Sequence, residues 1–255
     1  MIKKILRSSF NLLGYDIERK RTVIEPGYRG EYNYEKVSPL ATLALWRNDK
    51  DFMQIFELIK DGKTLVDIYR CYELWTLTEE VQKLPEKGDF IEIGVWRGGT
   101  SALIAKKLKL LGSVEKVYSA DTFQGVVKAD SKHDFAYKGG EHADTSKEAV
   151  QSLFREMGLT NIEILQGIFP DDTGHLIPSG TRFKFCHIDV DVYQSAKDIV
   201  NWIWDKLIPG GIIVYDDYGF HGCSGIAKFV QEERSKKDRI ILQNLNGHAI
   251  CIKRP

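Results

Sequence analysis

The sequence predicts a doubly wound α/β fold built on a mostly parallel sheet, and three observations carry that prediction. From residue 89 onward, apolar runs rich in β-branched residues alternate with stretches of helical periodicity. Residues 89–105, DFIEIGVWRGGTSALIA, read as a buried strand, a tight glycine turn and the opening of a helix. Acidic residues then gather where the fourth and fifth predicted strands end. A parallel sheet needs helical crossovers over both faces, so its strands are apolar throughout, and ligands lie at their carboxyl ends.

On this reading the chain divides into an arm with accessory helices, 1–84, and an α/β core, 85–255. Residues 1–21, MIKKILRSSFNLLGYDIERKR, are basic and amphipathic, with Ile2, Ile5, Leu6, Phe10 and Leu13 near helical spacing. That pattern suits a helix packed on a neighbouring subunit, or one in peripheral contact with an anionic membrane. Arg7, Ser8, Ser9 and Asn11 interrupt its apolar core, which argues against a cleaved signal peptide. Residues 22–45 mix Pro26, Gly27, Gly30 and Pro39 with Tyr28, Tyr32 and Tyr34, an irregular arm of the kind that covers a site or forms an interface. Helices are expected within 40–61, ended by Gly62, and over 68–84. Their aromatic residues Trp46, Phe52, Phe56, Tyr69, Tyr72 and Trp75 suggest a homodimer or larger assembly, or packing on the sheet.

Within the core, strands are expected over 90–95, 117–120, 162–166, 183–190, 212–215, 240–243 and 249–252. Helices are expected over 101–111, 145–157, 195–207 and 226–234, with a short one near 171–176. Thr100 and Ser101 offer an N-cap for the first of these, and Pro209-Gly210-Gly211 stops the third. Asn244-Leu245-Asn246-Gly247 is a hairpin-type connection that makes one of the last two strands antiparallel.

Composition narrows the functional classes. Lys plus Arg and Asp plus Glu are equal at 36 each, so no bulk charge favours nucleic acid. Cys71, Cys186, Cys223 and Cys251 lack C-x-x-C spacing and read as reduced, mostly buried thiols of an intracellular, cytoplasmic protein. No apolar run reaches the roughly 18 to 20 residues of a membrane span.

The glycine turn departs from the G-x-G-x-x-G dinucleotide fingerprint. An acid, Glu92, lies inside the strand, where a carboxylate repels a pyrophosphate but suits an amine-bearing ligand such as S-adenosylmethionine. Asp121, ending the second strand, can accept hydrogen bonds from both hydroxyls of a ribose. The competing reading makes Glu92 a helix-capping or salt-bridged acid and the glycines a plain turn. Two further strand ends, His187-Ile-Asp189-Val-Asp191-Val-Tyr193 and Val214-Tyr-Asp216-Asp217-Tyr218-Gly219, lie on the same sheet edge. Carboxylates converging there repel one another unless a cation or protons neutralise them, and such hard oxygen ligands suit magnesium or manganese. Taken singly, each aspartate could instead begin a loop or cap a helix. Asp189 and Asp191 share a face only if the strand keeps its pleat.

Five segments together, GDFIEIGVWRGGTS, ADTFQG, QGIFPDD, HIDVDVYQS and LIPGGIIVYDDYG, resemble the macrocin O-methyltransferase family over roughly residues 60–235. That family comprises SAM-dependent, magnesium-dependent enzymes that methylate sugar hydroxyls in natural products. The resemblance implies a class I methyltransferase (Rossmann-like) fold, with a seven-stranded, mostly parallel sheet after N-terminal accessory helices. It implies that Glu92, Gly94 and Gly98 line the methionine side of the cofactor, with Trp96, Thr100 and Ser101 in the same binding loop. Asp121 and Thr122 would meet the ribose, and Gly167, Ile168 and Phe169 the adenine. Asp189, Asp216 and Asp217 would bind the metal, Asp191 would act as general base, and His142, in an insertion that folds over the acceptor, would be a second catalytic residue.

That insertion, 126–145, and the tyrosine arm could close over the sugar and exclude water. A catechol-like phenol chelates magnesium in the same way and is the alternative acceptor. A non-catalytic α/β binding protein is the alternative from another class, against which the four neighbouring aspartates argue.

Overall fold

The computed structural model describes residues 22–23, 34–35, 37 and 40–255. The basic segment 1–21 and the side chains of Tyr28, Tyr32 and Tyr34 lie outside what is described. The chain forms two compact units, Met1–Leu40 and Ala41–Pro255. In the first, β1 (Thr22–Val23) pairs antiparallel with β2 (Tyr34–Glu35).

The second unit begins about forty residues before the expected boundary at 85, because the accessory helices belong to its core. Asp49 caps α1 (Lys50–Ile59) by accepting the Phe52 N–H at 2.9 Å, and its other oxygen accepts the Trp75 indole N–H at 2.8 Å. Asp67 does the same for α2 (Ile68–Gln82), accepting from Tyr69 and Arg70. Between them Phe52, Ile59, Leu74 and Trp75 are buried in one apolar cluster with Phe90 and Phe185 of the sheet. Each such side chain contributes about 1.5–3 kcal/mol, so neither helix is an appendage. Of the aromatic residues on this segment, Tyr69 is the exposed one; the others pack inward wholly or in part.

Among the described residues, seven strands form the main sheet: β3 (Asp89–Ile93), β4 (Val117–Asp121), β5 (Ile162–Gln166), β6 (Phe183–Ile188), β7 (Leu207–Tyr215), β8 (Arg239–Gln243) and β9 (Ala249–Lys253). Their order is β5-β4-β3-β6-β7-β9-β8. β9 is antiparallel to both β7 and β8, while the pairings from β5 through to β7 are all parallel. The helices α3 (Gly99–Leu110), α4 (Lys147–Glu156), α5 (Tyr193–Ile203) and α6 (Ser224–Glu233) connect the strands. One apolar cluster packs α1 to α4 against one face, and another packs α5 and α6 against the opposite face. The chain runs outward through β3, β4 and β5, then returns to lay β6 on the other side of β3. A crevice opens at that reversal, beyond the carboxyl ends of β3 and β6.

Several boundaries differ from expectation for local reasons. β3 stops at Ile93 because Gly94 turns the chain at φ +87°, and β6 stops at Ile188. Gly98, at φ +82° and with no side-chain cap, occupies the N-cap of α3 in place of Thr100 or Ser101. Ser146, not Thr145, caps α4. Residues 171–176 contain only the 3-10 turn Gly174–Leu176. α5 ends at Ile203, and Pro209-Gly210-Gly211 lies inside β7 as an irregularity: Phe183 pairs with Leu207, but Phe185 with Ile212.

At the reversal point Gly94 passes so close to β6 that a Cβ on it would sit 1.7 Å from the Asp189 carbonyl oxygen. Gly94→Ala should therefore cost more than about 3 kcal/mol in denaturant unfolding, combining a backbone clash with left-handed strain. Gly112→Ala, at φ +68° with nothing within 4 Å of the added carbon, should cost only about 1–2 kcal/mol.

Candidate functional site

A cavity of about 340 Å³ occupies the crevice. The loop after β3 contributes Gly94, Val95, Trp96 and Thr100; β4 contributes Asp121 and Thr122; the turn after β5 contributes Phe169. The ends of β6 and β7 add Asp189, Asp191, Asp216 and Asp217. Tyr137 and His142 come from the insertion, and Arg70 from α2.

The glycine loop is shaped by Asp121. Its Oδ2 accepts the Trp96 N–H at 2.8 Å and its Oδ1 the Phe123 N–H at 2.6 Å, and the Val95 N–H donates to the same carboxylate at the cavity's edge. Burial raises its pKa despite these bonds. Trp96 takes φ +47°, donates its indole N–H to Asp144 at 2.8 Å, and accepts the Thr145 hydroxyl at 2.5 Å. The glycine loop and the insertion are thereby fastened together. Phe169 is buried edge-on to Trp202, with ring centroids 4.8 Å apart.

Not every expected contact reaches the cavity. Glu92 is fully buried behind the wall, accepting hydroxyl hydrogen bonds from Thr100, at 2.5 Å, and from Ser101, and facing His187 Nδ1 at 2.9 Å. It is the salt-bridged acid of the competing reading, with both oxygens occupied, and Ser101 is turned to it as well. Gly98, Gly167 and Ile168 also stand back from the cavity and act on loop shape. Gly167 N–H donates to the Asp121 carbonyl at 2.9 Å and Ile168 N–H to Asp172 at 2.9 Å, presenting Phe169.

The acids do converge. Asp189, Asp216 and Asp217 each offer an oxygen, all within 4.8 Å of one another. Their surroundings differ sharply. Burial and the mutual proximity of the carboxylates push Asp189 and Asp217 well above the ordinary range. Burial acts on Asp216 too, but hydrogen bonds with His187 and His248 and the charge of Arg70 override it and hold that group well below the range. Arg70 itself is buried, forming ion pairs with Asp216 and, at 2.9 Å, Asp67, with its guanidinium 4.5 Å from the Phe220 ring centre. Burial disfavours charge on His187, yet its bonds to Asp216 and Glu92 raise its pKa to about 9.

Asp191 stands apart from Asp189 because the strand has already ended. It takes φ +63°, and its N–H donates to Asp217 Oδ2 at 3.0 Å. Burial raises its pKa; the Tyr137 hydroxyl donates to its carboxylate, and Cys223 Sγ lies 3.4 Å from Oδ1. His142, also at a positive φ of 63°, faces Tyr137 with ring centroids 6.2 Å apart. Thus Asp189, Asp191, Asp216, Asp217 and His142 share one cavity. Arg70, Tyr137 and Cys223 join them there, and His248 meets Asp216 from behind the wall; none of the four was singled out as a site residue, since nothing local in their segments marks them.

The donor set fits a hard divalent cation. It offers carboxylate oxygens, and among the described residues no salt bridge reaches Asp189 or Asp217. Without the cation, the raised pKa of each of these two acids means that stability falls as pH rises from the ordinary carboxylate range towards neutrality; Asp216, held below that range, contributes stability that is lost only as pH falls beneath it. Asp217→Asn, which keeps an acceptor for the Asp191 N–H, should raise the melting temperature in EDTA at neutral pH by roughly 2–4 °C, or about 1 kcal/mol. It should also abolish the stabilisation given by added Mn²⁺, and an unchanged EDTA midpoint would show that the acids do not repel.

Known proteins resemble this chain in sequence and in fold. The family model described as macrocin-O-methyltransferase (TylF) matches residues 55–248. The 8-demethyl-8-(2,3-dimethoxy-alpha-L-rhamnosyl)-tetracenomycin-C 4'-O-methyltransferase of Streptomyces olivaceus is 33% identical over 169 residues, covering 63% of this chain and 64%, just under two thirds, of that relative. The mycinamicin III 3''-O-methyltransferase of Micromonospora griseorubida is 27% identical over 70% of this chain and 74% of its own length. Among solved structures, the O-methyltransferase NovP superposes with a TM-score of 0.65 at 24% identity, covering 76% of this chain and 84% of that one. CalS11, a calicheamicin methyltransferase, gives 0.60 at 12% identity over 85% and 99%. The seven-stranded sheet is that of the class I methyltransferases, and with three quarters of its length matched by the family model, this chain belongs to the macrocin-O-methyltransferase family.

Proposed function

We propose that this chain is a SAM- and divalent-metal-dependent O-methyltransferase acting on a sugar hydroxyl, on a deoxysugar or a glycoside- or nucleotide-linked sugar, in natural-product or surface-polysaccharide biosynthesis. The observation that carries the reading is the opening of the glycine loop, Asp121 and the three aspartates onto one cavity. The names of two relatives, a rhamnosyl 4'-O-methyltransferase and a 3''-O-methyltransferase of mycinamicin III, support the sugar as acceptor. The free, buried state of all four cysteines supports a cytoplasmic location.

S-adenosylmethionine supplies an electrophilic methyl group, and Mg²⁺ or Mn²⁺ held by Asp189, Asp216 and Asp217 would ease loss of the hydroxyl proton. The chain's own residues do the rest. Asp121, already accepting three backbone N–H groups, keeps an acceptor position for a ribose hydroxyl, and Phe169 gives the adenine an apolar wall. Asp191 takes the acceptor proton on its carboxylate, and its raised pKa brings it closer to the working pH of a general base. Tyr137, whose phenol is kept protonated by burial and by the charge of Asp191, orients that carboxylate. His142 and the insertion, pinned to the cofactor loop through Trp96, hold water away and align donor with acceptor.

Calorimetric titration with S-adenosylhomocysteine, with and without Mn²⁺ and with NADH as control, tests the cofactor. The product should bind and NADH should not; failure of the product to bind under either condition overturns the reading. Nucleotide sugars and catechols, offered with labelled cofactor, then test the acceptor class. Asp191→Asn should lower kcat by about 10²–10⁴-fold while S-adenosylhomocysteine affinity stays within about twofold. Loss of Mn²⁺ binding in that variant would instead exchange its role with that of Asp189.

A further inference from the structure

Asp216 is gripped from three directions, and one grip comes from the start of the neighbouring antiparallel strand, β9. Arg70 holds Oδ2 from α2, and His187 Nε2 lies 3.4 Å from Oδ1 within the sheet. His248, immediately before β9, is fully buried with its Nε2 2.8 Å from the same Oδ1. Its other ring nitrogen, Nδ1, lies 2.5 Å from Oε2 of Glu73 in α2. Glu73 is in turn fixed by the β8–β9 turn: the side-chain amides of Asn244 and Asn246 both donate to it, the latter at 3.1 Å. Asn246 closes the loop by accepting the His248 N–H at 3.0 Å.

We propose that His248 and Glu73 are positioning residues for the metal-binding carboxylate, fixing the plane of Asp216 so that it meets the cation beside Asp189 and Asp217. The inference rests on the metal-dependent reading of the site. A carboxylate free to rotate must be immobilised when a cation arrives, whereas one already held at both oxygens is not. An imidazole with a carboxylate at each nitrogen cannot flip without losing both contacts, so Glu73 sets the orientation His248 passes to Asp216. Glu73 also separates this role from simple packing. It does not touch Asp216, and its side chain is 17% exposed, so neutralising it orphans no deeply buried charge. His187 offers no such test, because removing it would strand the fully buried Glu92.

The test uses the whole chain and three readouts: Mn²⁺ affinity and S-adenosylhomocysteine affinity by calorimetry, and the melting temperature in EDTA. His248→Gln should weaken Mn²⁺ binding by about tenfold or more, and Glu73→Gln by a smaller factor of the same sign. S-adenosylhomocysteine affinity should stay within about twofold in both. The double variant should bind Mn²⁺ no more weakly than His248→Gln alone, because Glu73 acts through the ring. Unchanged Mn²⁺ affinity with only a lower melting temperature would reduce the network to a staple between hairpin and helix, and additive losses would overturn the serial arrangement. Should His248→Gln fail to fold, Glu73→Gln decides alone. Wild-type protein that binds S-adenosylhomocysteine but no Mn²⁺ would remove the metal reading, and this inference with it.

Discussion

The site depends on how closely the turn after β3 passes the end of β6. The Asp189 N–H donates to the Ile93 carbonyl and the Gly94 N–H to the Ala120 carbonyl, each at 2.9 Å, so the exit of β3 is tied on both sides. Only a residue without a side chain can make that passage. Because it does, the glycine loop and the acidic strand ends open onto the same 340 Å³ of space. A wider gap would separate the loop and Asp121 from the cluster of acids and leave two half-sites; on the proposed reading these would be too far apart for in-line transfer.

Within that space, four aspartates of identical chemistry are separated by their neighbours. Asp216 has cationic donors at both oxygens and is ionised firmly. Asp189 and Asp217 have each other and little else, so their charge is costly until a cation offsets it. Asp191 has uncharged donors, Tyr137 and Cys223, and lies past a backbone turn that sets it off from the other three. Such divergence of environment is what the proposed division of roles, metal binding for three acids and proton transfer for the fourth, would require.

Much of this was legible in the sequence. Alternating strand and helix gave the sheet, and the acids at two strand ends gave the cavity floor, because both depend on short-range patterns. Glu92 admitted two readings in the sequence. Its position inside β3 made it look like a ligand, but an acid in a buried strand is neutralised by whichever donors the covering helix brings, here Thr100 and Ser101 with His187 alongside. Pro209-Gly210-Gly211 carries turn chemistry and reads as a stop, although β7 runs through it as an irregular strand. Arg70 and His248 lie 146 and 32 residues from their common partner Asp216, a distance over which no local signal exists. The accessory helices were assigned outside the core for a related reason: their packing partners, Phe90 and Phe185, come later in the chain.

The position of β9 between β7 and β8 bears on how the molecule comes into being. Of the seven strands of this sheet, the one latest in sequence is interior, so β8, though made earlier, has no neighbour to pair with until β9 arrives. Throughout that interval the long apolar edge of β7 is an open template for other chains. The same late strand brings in His248, so a growing polypeptide already holding all four aspartates still lacks one of the contacts that hold Asp216 in place. Ribosome-bound intermediates of this protein therefore carry an unfinished cluster of acids beside an uncovered sheet edge, a stage at which a chaperone has most to protect.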